Sequence, residues 1–225
     1  MSDIIREVDE ELRRERLANL WKKHGGLIVF AVVLIVAGTA AWRGYEYYAA
    51  KQAEAASERF VAAQKLAADA AKNDEAIAAL KTLSADSPAG YRLLSRFALA
   101  AELGQKDPKE GAAAFETIAN DSSVEAPMRQ LAGIRGALLV VDSADVAEMQ
   151  KRLALPLADG STFRHSAMEL MALAHIRAGN QGEAQKLFLQ LAFDPETPPG
   201  LRNRAQRLQA ALFNTATPAP AAEKK

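Results

Sequence analysis

The longest unbroken pattern in the chain has no polar face. From Gly25 to Trp42 (GGLIVFAVVLIVAGTAAW) 18 residues pass without a charge, and the apolar side chains fall on every side of a helix. Such a helix is about 27 Å long, close to the roughly 30 Å hydrocarbon core of a bilayer. A helix apolar on every side is either a buried core helix or a membrane span, and a run of this length favours the span. The pattern therefore predicts a single transmembrane helix over 25–44. Trp21 and Trp42 bracket the run, and Tyr45, Tyr47 and Tyr48 follow it, as an interfacial aromatic belt would be placed. Trp21, Lys22, Lys23, Trp42, Arg43 and Tyr45 are the expected interface anchors. A cleavable signal peptide is the rival reading, since Gly38-Thr39-Ala40 offers small residues near a plausible cleavage point. The run exceeds a usual signal core and the preceding region is long and helical, which favours an uncleaved anchor.

Before the anchor, Ile5, Val8, Leu12, Leu17, Leu20 and Trp21 recur at helical spacing. Residues 1–24 are expected to form an amphipathic cytosolic segment that continues into the anchor. It could meet a cytosolic partner or lie on the bilayer; a solvated extension of the anchor helix is the simpler reading. Orientation follows the basic residues near each end. Arg6, Arg13, Arg14, Arg16, Lys22 and Lys23 precede the run, against Arg43, Lys51 and Arg59 after it. Six against three puts the N-terminus in the cytoplasm and the domain that follows the anchor outside.

Beyond the anchor the pattern becomes helical. Residues 45–72 contain no Pro or Gly and many Ala, Glu, Gln and Lys, so a long helix should leave the membrane and a shorter one occupy 74–83. Asp, Asn, Gly, Pro and Ser clusters then punctuate the chain into helices near 89–104, 108–120, 126–141, 144–154, 162–178, 181–193 and 199–213. Lengths of this kind joined by short loops describe stacked antiparallel hairpins. Residues 143–160 fit least well, because Pro156 and Gly160 interrupt the helix expected there.

A self-match at an offset of 73 residues sharpens the picture. It pairs Ala101 with Ala174, Glu110 with Glu183, Phe115 with Phe188, Ala119 with Ala192 and Asp121 with Asp194. Without a gap it continues through Arg129 and Arg202, Ala132 and Ala205, and Leu139 and Leu212. Half of that offset is close to the 34-residue tetratricopeptide unit. In 165–198, Ala172, Gly179, Ala184 and Phe188 stand where that unit needs a small residue, a turn, a small residue and an aromatic. Met168 and His175 replace its usual Trp and Tyr, so the repeat is degenerate. The expected fold is all-α: one transmembrane helix, then a tetratricopeptide-like (TPR-like) stack of hairpins over 45–214. Residues 215–225, Pro- and Ala-rich with terminal charges, are expected to be disordered.

Composition narrows the function classes. The 28 Lys and Arg balance 28 Asp and Glu, and no basic excess follows residue 45, which argues against a nucleic-acid partner. There is no cysteine, hence no disulfide framework or thiolate metal site. His165 and His175 are ten residues apart on one expected helix, about 15 Å along its axis and too far for a shared metal. No HExxH, GxSxG, P-loop or GxGxxG occurs. The reading is a non-enzymatic protein without cofactor, metal or small-molecule substrate. Concave faces of hairpin stacks bind peptides or partner helices, so Tyr91, Arg92, Arg96, Arg135 and His175 form the candidate partner-binding face. Asp121 with Arg129, and Asp194 with Arg202, share a spacing that suggests a repeated ion pair across an inter-hairpin loop.

Several stretches resemble bacterial YfgM-type proteins: Trp21-Lys22-Lys23-His24-Gly25 before the apolar span, Ala41-Trp42-Arg43-Gly44-Tyr45 after it, PMRQLAGIRGALLV at 127–140, and ELMALAHIRAGNQGEAQKLFLQLAFDP at 169–195. The resemblance covers about residues 3–213. It implies an inner-membrane protein with a periplasmic TPR-like domain, ancillary to the SecYEG translocon and acting beside a membrane-anchored periplasmic chaperone. It supplies no catalytic residues, and the longer N-terminal segment departs from the shorter family members. A structural scaffold in envelope assembly or cell division is the alternative function.

Overall fold

The computed structural model describes residues 2–213, and the tail expected to be disordered lies outside them. Every regular element among the described residues is helical. The chain divides into two units, Met1–Ala55 and Ala56–Lys225.

Helix α1 (Ser2–Ala67) contains the whole first unit and the opening turns of the second. Its 18-residue apolar window has a mean hydropathy of 2.3. Leu27, Ile28, Val29, Phe30, Val32, Val33, Leu34, Ile35 and Val36 are all exposed. The few polar groups there are satisfied locally: the Thr39 hydroxyl donates to the Ile35 carbonyl at 2.7 Å.

The expectation of a helix to Lys72 needs correction. α1 stops at Ala67, and a short 3-10 turn follows at Ala70–Lys72. Asp69 is the cause, because its Oδ1 accepts from the Ala71 amide at 3.1 Å and draws the backbone out of the helical ladder. α2 (Asn73–Asp86) then runs three residues beyond the expected Leu83. Ser84 does not end it; its hydroxyl turns back onto the Lys81 carbonyl at 2.7 Å.

The remaining helices fall close to their expected places: α3 (Ala89–Lys106), α4 (Pro108–Ala119), α5 (Ala126–Val140), α6 (Val146–Leu157), α7 (Arg164–Arg177), α8 (Gln181–Phe193) and α9 (Pro199–Phe213). Asp107 and Asp145 cap α4 and α6 through their side chains, with Pro108 pre-set at the first position of α4. Between α7 and α8, Gly179 takes φ +78°. The Asn180 amide then reaches the His175 carbonyl and the Gly179 amide the Ile176 carbonyl, so the turn closes as a Schellman motif.

From α2 onward each helix packs on the next, and α7 also touches both α5 and α9, the pattern of a TPR-like stack. Four apolar clusters run through it. Ala63, Leu80 and Leu83 join the end of α1 to α2. Ala100, Phe115 and Ile118 hold α3 to α4. Val140, Met149, Leu153 and Leu170 tie α5, α6 and α7 together, and Ala172, Phe188, Leu191 and Leu201 bind α7 to α9.

The 73-residue register is visible in three dimensions. Adding 73 to the bounds of α5 gives those of α9, and the same shift carries the start of α4 onto the start of α8. Phe115 and Phe188 are both buried, as are Ala132 and Ala205. The copies differ at the helix contacts. A Cβ on Gly111 would lie 2.4 Å from the Gly104 Cα and 2.8 Å from the Ala100 carbonyl oxygen, so α3 and α4 meet backbone to backbone. At α5, a Cβ on Gly133 would lie 3.1 Å from both the Arg152 carbonyl oxygen and the Pro156 ring. Proline lacks the amide that would bond the carbonyl four residues back. Glycine on α5 thus makes room for Pro156 inside the last turn of α6, which reaches Leu157 instead of ending at 154. In α9 the registers of Gly133 and Gly136 are held by Gln206 and Gln209.

Candidate functional site

The loops that follow α4 and α8 are built alike. Asp121 Oδ1 accepts from the Ser123 amide at 3.0 Å, and Asp194 Oδ1 from the Glu196 amide at 2.8 Å, the same position one repeat later. The Val124 amide bonds the Asp121 carbonyl and the Thr197 amide the Asp194 carbonyl, which buries Val124 and Thr197 beneath the turn.

The ion pairs expected within these loops do not form. Asp121 Oδ2 is taken by Arg96 of α3 at 2.6 Å, and Asp194 Oδ2 by Nε2 of His165 on α7 at 3.0 Å. Arg202 instead donates to the Pro195 and Thr197 carbonyls at 2.8 and 2.9 Å. The physical reason is position: an arginine in the first turn of the following helix lies over the loop carbonyls, while the carboxylate points back to the preceding hairpin. The Ser123 hydroxyl and then the Arg96 guanidinium hold the Asp121 carboxyl down at about 2. The His165 hydrogen bond does the same, in direction, for Asp194. Each aspartate therefore ties a loop to the first helix of its own hairpin, a role that sequence spacing missed although the identity of positions 121 and 194 marked it.

The five residues of the candidate face are distributed over three helices. The half-buried Tyr91 ring packs on Phe60, centroids 6.2 Å apart and tilted by 59°. Arg92 is exposed one turn before Arg96, whose guanidinium is engaged by Asp121. Arg135 is exposed on α5, where Leu138 lies one turn further with half its surface open. His175 is half-buried near the end of α7, its Nδ1 3.4 Å from the Asn180 side-chain nitrogen. Among the described residues no hydrogen bond or ion pair joins any two of the five. Of the interface anchors, Trp21, Lys22, Lys23, Trp42, Arg43 and Tyr45 are all exposed. The Trp42 indole N–H donates to Glu46 at 2.9 Å, and Arg43 reaches the same carboxylate at 3.4 Å.

Three further features complete the domain's polar chemistry. Glu169 of α7 is buried and bound through both oxygens by Arg204 of α9, which raises the affinity of that guanidinium for its proton. Arg152 bridges Glu116, Glu148 and the Ala112 carbonyl at 2.9–3.2 Å. It stands beside a cavity of about 200 Å³ floored by Ala112, Ala132, Gly133 and Gly136. No group of three His, Asp or Glu among the described residues is placed to hold a metal ion.

A family model described as a tetratricopeptide repeat-like domain matches residues 19–203. No curated protein and no solved structure matches the chain.

Proposed function

The chain belongs to the tetratricopeptide repeat-like domain family, and on that premise we propose that it is a membrane-anchored, non-enzymatic protein-binding module of the bacterial inner membrane. Its N-terminus lies in the cytoplasm and its helical domain in the periplasm, where it serves the Sec translocon and a membrane-anchored periplasmic chaperone. A TPR-like domain implies protein partners in general; the membrane helix narrows where they are met.

The observation that carries this reading is the run of nine large apolar side chains exposed on α1 between Leu27 and Val36. Covering each is worth about 1.5–3 kcal/mol, so the run gains on the order of 15 kcal/mol or more from an apolar medium. That is as large as the whole stability of an ordinary domain. The excess of basic residues before the run supports the proposed direction. A tether also raises the local concentration of the domain for partners at the membrane exit, so modest affinities suffice. The resemblance to YfgM-type proteins supports protein export as the setting.

Two measurements test the proposal. External protease added to spheroplasts should digest the domain, and protection would overturn the direction and the export role together. Capture of the intact protein from detergent-solubilised membranes should recover SecYEG or periplasmic chaperone components. Recovery of division or outer-membrane assembly proteins instead would replace this reading with that of an envelope scaffold.

A further inference from the structure

Among the described residues two carboxylates are buried, Glu102 and Glu169. They are treated differently. Glu169 has the guanidinium of Arg204, whereas Glu102 has only amides: Asn73 Nδ2 at 2.9 Å and Gln105 Nε2 at 3.0 Å, both on Oε2. Lys106, one turn along α3, is drawn away to Asp74 of α2. An ionised carboxylate offers about four acceptor positions, and two are filled here. Oε1 accepts nothing among the described residues, and Asn73 Oδ1 is buried without a donor. The cluster is short of donors and lacks a positive charge. Burial pushes the Glu102 carboxyl up, even with two amides donating to Oε2.

Beside Glu102 lies an open surface depression of about 380 Å³, lined by Gln64, Ala67, Ala68 and Ala98 over the buried Leu80. That volume lies at the small end of ligand pockets. Its walls suit a methylene chain, and its one charged group is the carboxylate. A divalent metal ion would ask for more oxygen ligands than one carboxylate supplies. We propose that this depression receives the cationic side chain of an arginine or lysine from a partner polypeptide, the stem against Ala67, Ala98 and Gln64 and the head on Glu102. The source of that side chain rests on the binding-module reading; the chemistry of the depression does not.

The full chain in detergent micelles, with ¹³C-methyl alanine and leucine, is titrated with the blocked tripeptide acetyl-Ala-Arg-Ala-amide. Shifts should concentrate at the methyls of Ala67, Ala68 and Ala98. The peptide carrying citrulline, the neutral isostere of arginine, should bind about tenfold more weakly or worse, as should the arginine peptide on Glu102→Gln. Equal binding of the citrulline peptide, or shifts confined to other methyls, overturns the proposal. Tighter binding of free putrescine than of either peptide overturns the assignment to a polypeptide. Should Glu102→Gln fail to fold, the two peptides on the unaltered protein decide alone. Peptide binding without recovery of export components retires only the partner; the reverse result retires only the depression as a site.

Discussion

Gly111→Ala separates what the repeat suggests from what the packing requires. The position one repeat later is Ala184, fully buried, so comparison of the copies suggests that alanine is harmless at 111. Helix propensity points the same way, since alanine gains about 1 kcal/mol over glycine inside a helix. The contact between α3 and α4 opposes both. The new methyl would lie 2.4 Å from the Gly104 Cα and 2.5 Å from its amide nitrogen, about 1 Å inside ordinary contact. These are backbone atoms that no rotamer change removes. In the second copy Arg177 and Ala184 occupy the registers of Gly104 and Gly111, so the glycine-on-glycine contact is not repeated there. Overpacking costs about 1–3 kcal/mol and occasionally more, and a backbone clash belongs at the upper end. After the propensity gain the net loss is about 2 kcal/mol, or roughly 4–8 °C in the melting temperature of a domain this size. Thermal unfolding of the full chain in detergent, followed by circular dichroism at 222 nm, measures it. Gly182→Ala, where an added Cβ meets nothing within 4 Å, is the control and should be neutral or slightly stabilising. A melting temperature for Gly111→Ala at or above that of the unaltered protein would refute the reasoning.

Two further predictions concern the repeated loops. The Thr197 hydroxyl is buried without a partner, while the equivalent position holds Val124. Thr197→Val should therefore stabilise the domain by about 1 kcal/mol, seen as a higher denaturant midpoint with unchanged slope. Asp121 has its carboxyl lowered from 3.8 to about 2 in the folded chain. Because the folded value is depressed, its stabilisation is complete above about pH 4 and is lost as pH falls toward 2. The Ser123 amide resonance should follow that titration, and Asp121→Asn should abolish the transition without moving the melting temperature's dependence on pH near neutrality.

Helix positions were largely legible, because Pro108, Pro127, Gly179 and Pro199 and the Asp caps act locally, and local signals survive in a linear reading. Two boundaries were not. The break at Ala67 depends on a single aspartate that competes with the ladder, and Pro156 is accommodated only because Gly133, 23 positions away in the chain, leaves room for it. The side-chain partnerships were the least legible. Asp121 was matched with Arg129 by proximity in sequence, but its partner Arg96 lies on the other side of α4 and becomes adjacent only when the hairpin closes. Glu102 carried no signal at all: a glutamate near the end of an alanine-rich helix reads as solvated, and its burial depends on α1 and α2 folding over it.

Gln206 of α9 bears on how far the stack can grow. A hairpin array is a one-dimensional lattice in which each unit presents the next with a template, and growth stops only where the template is spoiled. Gly133 is buried in α5 against the Arg152 carbonyl and the Pro156 ring of α6, whereas Gln206, in the same register of α9, is exposed. A long polar side chain thus occupies the place that admitted the next helix one period earlier. A further hairpin grafted onto that side of α9 would find no seat until Gln206 was exchanged for a small residue.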